Sequence, residues 1–121
     1  MTINDGWAAA SLRFLGPTLD LGLLHPALAK RAVLGPRGDV VVVSIDDDAE
    51  SDLQHRLEAL ERFATQHRIA LVDFRRRTGA KLQVFLGWSP MAPQESIIFA
   101  SSLLGLLADQ EAEVIIDSYS E

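Results

Sequence analysis

The side chains best suited to chemistry lie in Asp46-Asp-Asp-Ala-Glu-Ser-Asp52. Carboxylates at alternate positions, Asp46, Asp48, Glu50 and Asp52, are oxygen ligands of the kind that suit calcium or magnesium. An acid cluster at the C-terminal end of a strand can also hold a metal for phosphoryl transfer. The calcium-loop pattern is not met, because Ser51 stands at the sixth position and Leu57 at the twelfth, where glycine and glutamate are needed. The competing reading is electrostatic: Asp48, Glu50 and Asp52 cap a following helix and oppose its positive end. That reading is taken, so no metal site is expected. The histidines are His25, His55 and His67. His55 and His67 stand too far apart on one helix to share an ion, and no His-Glu-x-x-His spacing occurs. His67, at a helix C-terminus, is expected where a positive charge is welcome. There is no Gly-x-Ser-x-Gly elbow, no Gly-x-Gly-x-x-Gly turn and no phosphate-binding loop. The chain is expected to be non-enzymatic and to hold no cofactor.

Binding is better supported than catalysis. Arg75, Arg76 and Arg77 form a basic cluster that reads as the end of a hairpin. It can grip phosphate or an acidic partner, keep the tip soluble, or pair with the acidic C-terminal third of the same or another molecule. Trp88 and Met91 sit in Gly87-Trp-Ser-Pro-Met-Ala-Pro-Gln94, a loop between glycine and two prolines. Exposed tryptophans are enriched at interface hot spots. The alternative is that Trp88 folds back and plugs one end of the core, and Trp7 carries the same ambiguity.

Charge is divided unevenly. The net charge is −6, yet residues 1–81 hold eleven acids and eleven Lys or Arg. Residues 82–121 hold six acids and no base. Such a surface repels nucleic acid and favours a basic protein partner, or else simply keeps the protein soluble. The 121 residues, 48% hydrophobic and 23% charged, suit a single domain spanning 1–121 that buries a core without staples. There is no cysteine, which excludes a disulfide framework, a thiol nucleophile and thiolate-bound zinc. No apolar run is long enough to span a bilayer and no signal-peptide pattern opens the chain, so no membrane contact and a cytoplasmic location are expected.

The elements that must position these residues follow from periodicity. Ala10 to Leu15 alternates as a half-buried strand. Leu19 to Arg31 reads as an apolar helix that Pro26 either kinks or divides into two pieces at His25-Pro26. Gly35-Pro-Arg-Gly38 is a turn, and Val40 to Ile45 is a β-branched strand expected to be covered on both faces. A helix from about Ser51 to His67 turns Leu53, Leu57, Leu60 and Ala64 inward and leaves Gln54 and Arg56 on its wet face. Ile69 to Phe74 and Lys81 to Leu86 read as a hairpin, with Gly79 supplying a positive φ in the turn. Ser96 to Ala100 reads as a short strand, Ser101 or Ser102 as the cap of a helix through Ala108, and Glu113 to Asp117 as the last strand. The fold class is α+β: a single mixed, largely antiparallel sheet with two to three helices packed on one face.

Ser11-Leu-Arg-Phe-Leu-Gly-Pro-Thr-Leu-Asp20 followed by an apolar helix resembles the opening of a bacterial family called domain of unknown function 4279. Ser101-Ser-Leu-Leu-Gly-Leu-Leu-Ala-Asp-Gln-Glu-Ala-Glu-Val-Ile-Ile-Asp-Ser-Tyr119 resembles its closing helix and strand. The helix from Leu53 to Phe63 falls in the expected order. The family's polar first helix and strand-opening tryptophan are not matched. The resemblance implies a small cytosolic α+β domain and no catalytic residues.

The function expected from all of this is protein–protein interaction, with an immunity or antitoxin-like role as one concrete form. A small-molecule-binding regulatory module is the alternative, and a divalent-metal enzyme using residues 46–52 the second. Two apolar strands in a small domain, with a second sheet face to cover, predict a homodimer.

Overall fold

The computed structural model describes residues 7–45, 52–89 and 96–118. Five strands form one sheet: β1 (Trp7–Leu15), β2 (Ala32–Leu34), β3 (Val40–Ser44), β4 (Lys81–Ser89) and β5 (Glu113–Ser118). Their spatial order is β2-β3-β1-β4-β5. Every pairing is antiparallel except β4 with β5, where Val84 stands beside Val114 and Leu86 beside Ile116. The expected α+β class therefore holds, as a mixed, open, largely antiparallel sheet. The helices are α1 (Pro26–Ala29), α2 (Leu53–Gln66), α3 (Arg68–Thr78) and α4 (Ser101–Asp109), with a 3₁₀ turn at Leu21–Leu23. Among the described residues no helix is long and apolar enough to cross a membrane.

Alternation assigns the two faces of the sheet. Leu12 and Phe14 of β1, Val41 and Val43 of β3, and Leu82, Val84 and Leu86 of β4 are buried beneath the helices. Their neighbours Arg13, Val42, Gln83 and Phe85 point to the opposite face and stay partly open. Val40 to Ser44 is thus covered fully on one face only, not on both as its unbroken apolar run suggests. The core is closed from above by Leu53, Leu57 and Leu60 of α2 and by Leu71 and Phe74 of α3. The Phe74 ring meets that of Phe14 edge-on, 4.8 Å between centroids, an arrangement aromatic quadrupoles favour.

Pro26 divides the first helical segment, one of the two outcomes its position allows. Asp20 caps the 3₁₀ turn through the Gly22 N–H at 2.8 Å, and His25 Nδ1 accepts from the Ala27 N–H ahead of α1. The turn at residues 35–38 joins β2 to β3, with Gly38 at φ +71°. Residues 32–34, given no element by periodicity, form the short partner strand of that hairpin.

Three sequence expectations are corrected. Ile69 to Phe74 is not a hairpin strand but the body of α3. The buried pair Leu71 and Phe74 has helical spacing, Ile69 is 84% exposed, and Gly79 terminates the helix at φ +70° with its N–H on the Arg75 carbonyl at 2.8 Å. Gly79 takes the expected positive φ, but as a helix terminator. Ser96 to Ala100 forms no ladder. The Gln54 side chain brackets Ile98, accepting from its N–H at 2.9 Å and donating to its carbonyl at 3.0 Å, and so does a neighbouring strand's work. Neither Ser101 nor Ser102 caps α4; Ala100 occupies that position without a side-chain bond, and Ser102 Oγ donates to Glu61 of α2 at 2.8 Å.

Candidate functional site

Of the acid run, Asp46, Asp48 and Glu50 lie outside the described residues. Asp52 is the N-cap of α2: its Oδ1 accepts the His55 N–H at 2.9 Å and lies 2.8 Å from His55 Nδ1. That backbone bond is the main reason its carboxyl pKa falls below the ordinary value. The geometry at Asp52 is thus that of capping. Among the described residues no three acids or histidines gather where an ion could be held.

The histidines do not converge on a ligand. His67 stands at the junction of α2 and α3, closing one and opening the other. Its pKa is lowered, first by burial and then by the charges of Arg31, His25 and Lys30. The helix-end field expected to welcome a proton is opposed by the N-terminus of α3 and by these cations.

The arginine cluster belongs to the last turn of α3 rather than to a hairpin tip. Its members also separate. Arg75 is half-buried and donates to Glu111 at 3.0 Å and to Gln110 at 3.4 Å, across to the turn that follows α4. Arg77 pairs with Asp73 one turn back on its own helix. Of the three readings open for the cluster, Arg75 follows the one in which a base pairs with the acidic C-terminal third of the same chain. Arg76 is exposed and lines a cleft of about 700 Å³ with Arg68, Asp109 and Glu111. A second cleft of about 800 Å³ lies between residues 22–27 and the α2–α3 junction. Both are superficial and of mixed lining, and neither has a strand residue in its wall, so neither is the pocket between sheet and helices expected of a small-molecule module.

Trp88 is not in a loop. It is a residue of β4, paired with Ala8 on one side and Ser118 on the other, and it packs half-buried against the core. The plug reading therefore describes it better than the hot-spot reading. Met91 lies outside the described residues.

What the fold does expose is its C-terminal unit. All six residues of β5 are exposed. Val114, Ile115 and Ile116 stand open to 38%, 38% and 44%. The cause is position: among the described residues β5 pairs with β4 on one side only and forms an edge of the sheet. α4 precedes it in the chain. It buries Leu103 and Leu107 and leaves Leu104 half exposed. Polar contacts edge this surface: Glu113 accepts from Gln83 at 3.0 Å and from Lys81 at 2.9 Å, and these two bonds, the first foremost, hold its pKa low. Sequence reasoning found the strand and its apolar character. It did not find that the strand stands exposed at an edge of the sheet among the described residues, because nothing local in Glu113-Val-Ile-Ile-Asp117 says which strands flank it.

Arg56 was also misplaced by pattern. It is buried rather than wet, and its Nε donates to the Ala8 carbonyl at 3.1 Å, tying α2 to β1. The helical stripe is wide enough to include it, and only the partner carbonyl reveals why a guanidinium is tolerated there.

Compared with protein-family models, curated proteins and solved structures, the chain matches none. The likeness to domain of unknown function 4279 rests on the residues quoted for it above.

Proposed function

We propose that this chain is a non-catalytic, cytoplasmic binding domain that acts by contact with another protein, and that α4 and β5 form the contact surface. The observation that carries this reading is the exposure of Val114, Ile115 and Ile116 on an edge strand, where monomeric proteins usually place charge, proline or a covering element. Leu104 of α4, the helix that leads into β5, is a further exposed apolar residue. A basic partner fits best, since residues 82–121 contribute six acids and no Lys or Arg. An immunity or antitoxin-like role, in which a small acidic protein occludes a basic enzyme, is the concrete form of this proposal.

The test is affinity capture from the source cell's lysate with the wild-type chain and with Ile115→Lys, a change at an exposed position that leaves the core untouched. A basic protein retained by the wild type and lost with Ile115→Lys is the expected result. Retention of the same protein by both baits moves the contact away from β5. Retention of nothing by either bait removes the interaction reading.

A further inference from the structure

The cleft of about 800 Å³ between residues 22–27 and the α2–α3 junction carries a charge opposite to that of the chain as a whole. The segments that run through it, residues 21–31 and 62–72, contain Lys30, Arg31, Arg62, Arg68, His25 and His67 and not one acid. Among the described residues Asp73 is the only acid in the lining, and Arg77 of the same lining already pairs with it at 3.1 Å. In a chain of net charge −6, such a site does not follow from composition.

The donors of this cleft are not spent elsewhere. Arg68 is exposed, and its guanidinium meets no acceptor among the described residues. The three histidines converge on no common ligand, yet two of them, His25 and His67, line this one cleft. His25 Nδ1 accepts the Ala27 N–H at 3.1 Å, so the ring proton stands on Nε2, which donates while the imidazole is neutral. The His67 ring lies against Phe63, 4.5 Å between centroids, and its nitrogens meet no hydrogen-bond partner among the described residues. Burial first, and then the cations Arg31, His25 and Lys30, hold its pKa down. An anion in the cleft would reverse that charge effect.

Size and lining narrow the class of anion. Small-molecule sites run from roughly 300 to 1,000 Å³, and this cleft falls within that span. A guanidinium fork can take two oxygens of one anion, and an imidazole N–H a third. A phosphate monoester presents three terminal oxygens, whereas a carboxylate has two and leaves a donor unused. Leu23 and Ile69, 38% and 84% exposed, add apolar surface for an organic substituent.

We infer that this cleft binds a small organic phosphate monoester, its phosphate held by Arg68 with His25 and His67 and its apolar part lying along Leu23 and Ile69. The site uses no residue of α4 or β5, so it stands or falls apart from the contact surface proposed above.

The probe is phenyl phosphate, titrated into the isotopically labelled full chain in phosphate-free buffer and followed by amide and histidine-ring resonances between about pH 5 and 8. Phenol and benzoate are the comparison ligands. The expected result is amide shifts concentrated at residues 22–27 and 65–70. The His67 midpoint should rise by about half a pH unit or more, while that of His55, which lies outside the cleft beside Asp52, stays in place. Arg68→Gln should bind at least about tenfold more weakly. Arg76→Gln, on the same helix but in the wall of the other cleft, should bind as the wild type does, and unchanged β-sheet amide shifts show that either variant is folded. Absence of shifts at residues 22–27 and 65–70 at about 10 millimolar ligand overturns the inference. So does an equal loss with Arg76→Gln, an unweakened Arg68→Gln, or a His55 midpoint that moves as far as that of His67. Phenol or benzoate binding as tightly as phenyl phosphate overturns the phosphate assignment. A capped Ala-phosphotyrosine-Ala peptide binding tenfold tighter would make the source a modified protein and overturn the free monoester. None of these outcomes bears on the lysate capture, which tests β5 alone.

Discussion

His67 shows how a residue's surroundings can reverse the role its position suggests. At the end of α2 a protonated imidazole would be stabilised by the helix carbonyls. Here burial beside Phe63, with Arg31, His25 and Lys30 nearby, disfavours the proton instead. The sign of the pH effect follows. The unfolded chain takes up the proton near the ordinary value of 6.5, and the folded chain only at lower pH. Above that value both forms are neutral and stability is complete. As pH falls below it the unfolded state binds more protons, and stability is lost until the folded pKa is passed. Thermal unfolding between about pH 5 and 7 is therefore expected to show a melting temperature that falls with acidification. His67→Gln should flatten that slope, and an unchanged slope would show that another group sets it. Asp52 and Glu113 act in a separate window. Their folded pKa values are depressed from 3.8 and 4.5, so the stability they contribute is present above those values and lost only at more acid pH.

At the scale of elements, the second half of the core depends on α3 being a helix. Ile69-Ala-Leu-Val-Asp-Phe74 has the β-branched and aromatic content of a strand, yet three features favour the helix. Leu71 and Phe74 repeat at helical spacing, Asp73 and Arg77 form an i,i+4 pair at 3.1 Å, and Gly79 stands just past a last turn rich in arginine. The conflict is resolved by burial: the Phe74 ring is wholly enclosed against Phe14, whereas Ile69 is given up to solvent. Gly79 holds the left-handed terminator at φ +70°, and a Cβ built there touches nothing within 4 Å. Gly79→Ala is thus expected to destabilise through backbone strain alone, by about 1 kcal/mol. Urea unfolding measures this, and an unchanged midpoint would mean that the helix end relaxes without needing the left-handed residue. The C-terminus of α4 differs. Glu111 takes φ +53° without being glycine, and its carboxylate reaches Arg75 from there.

Among the described residues the molecule is a sheet with one face packed by helices and one face only partly covered. The partly covered face mixes polar residues such as Arg13 and Gln83 with apolar ones. Val33, Val42, Phe85 and Ile115 all belong to it, with Val33 67% exposed. Arg13 lies over the Phe85 ring at 3.9 Å and covers part of this area, while its buried Nε finds no acceptor among the described residues. A second copy laid against this face, rather than against the β5 edge, would cover it. Light scattering at tens of micromolar is expected to give twice the chain mass, and Val42→Lys is expected to return it to the monomer value. A monomer for the wild type would leave the open face solvated and remove the homodimer.

What the sequence determined by itself is whatever depends on neighbours a few residues apart. The strands β1, β3 and β5, the apolar stripe of α2, the break at Pro26 and the left-handed Gly79 all follow from alternation, helical spacing or a restricted dihedral angle. So does the uneven charge, which is a property of composition. The tertiary structure decided what depends on residues far apart in the chain. It placed β5 on an edge beside β4 and made α3 helical by giving Phe74 a partner in Phe14. It buried Arg56 by bringing it the Ala8 carbonyl, drew Trp88 into β4, and held Ile98 with Gln54 in place of a strand. Periodicity reports that a segment has an apolar side. It carries no information about which other segment will cover that side, and the candidate interaction surface of this protein is the apolar strand left with nothing over it among the described residues.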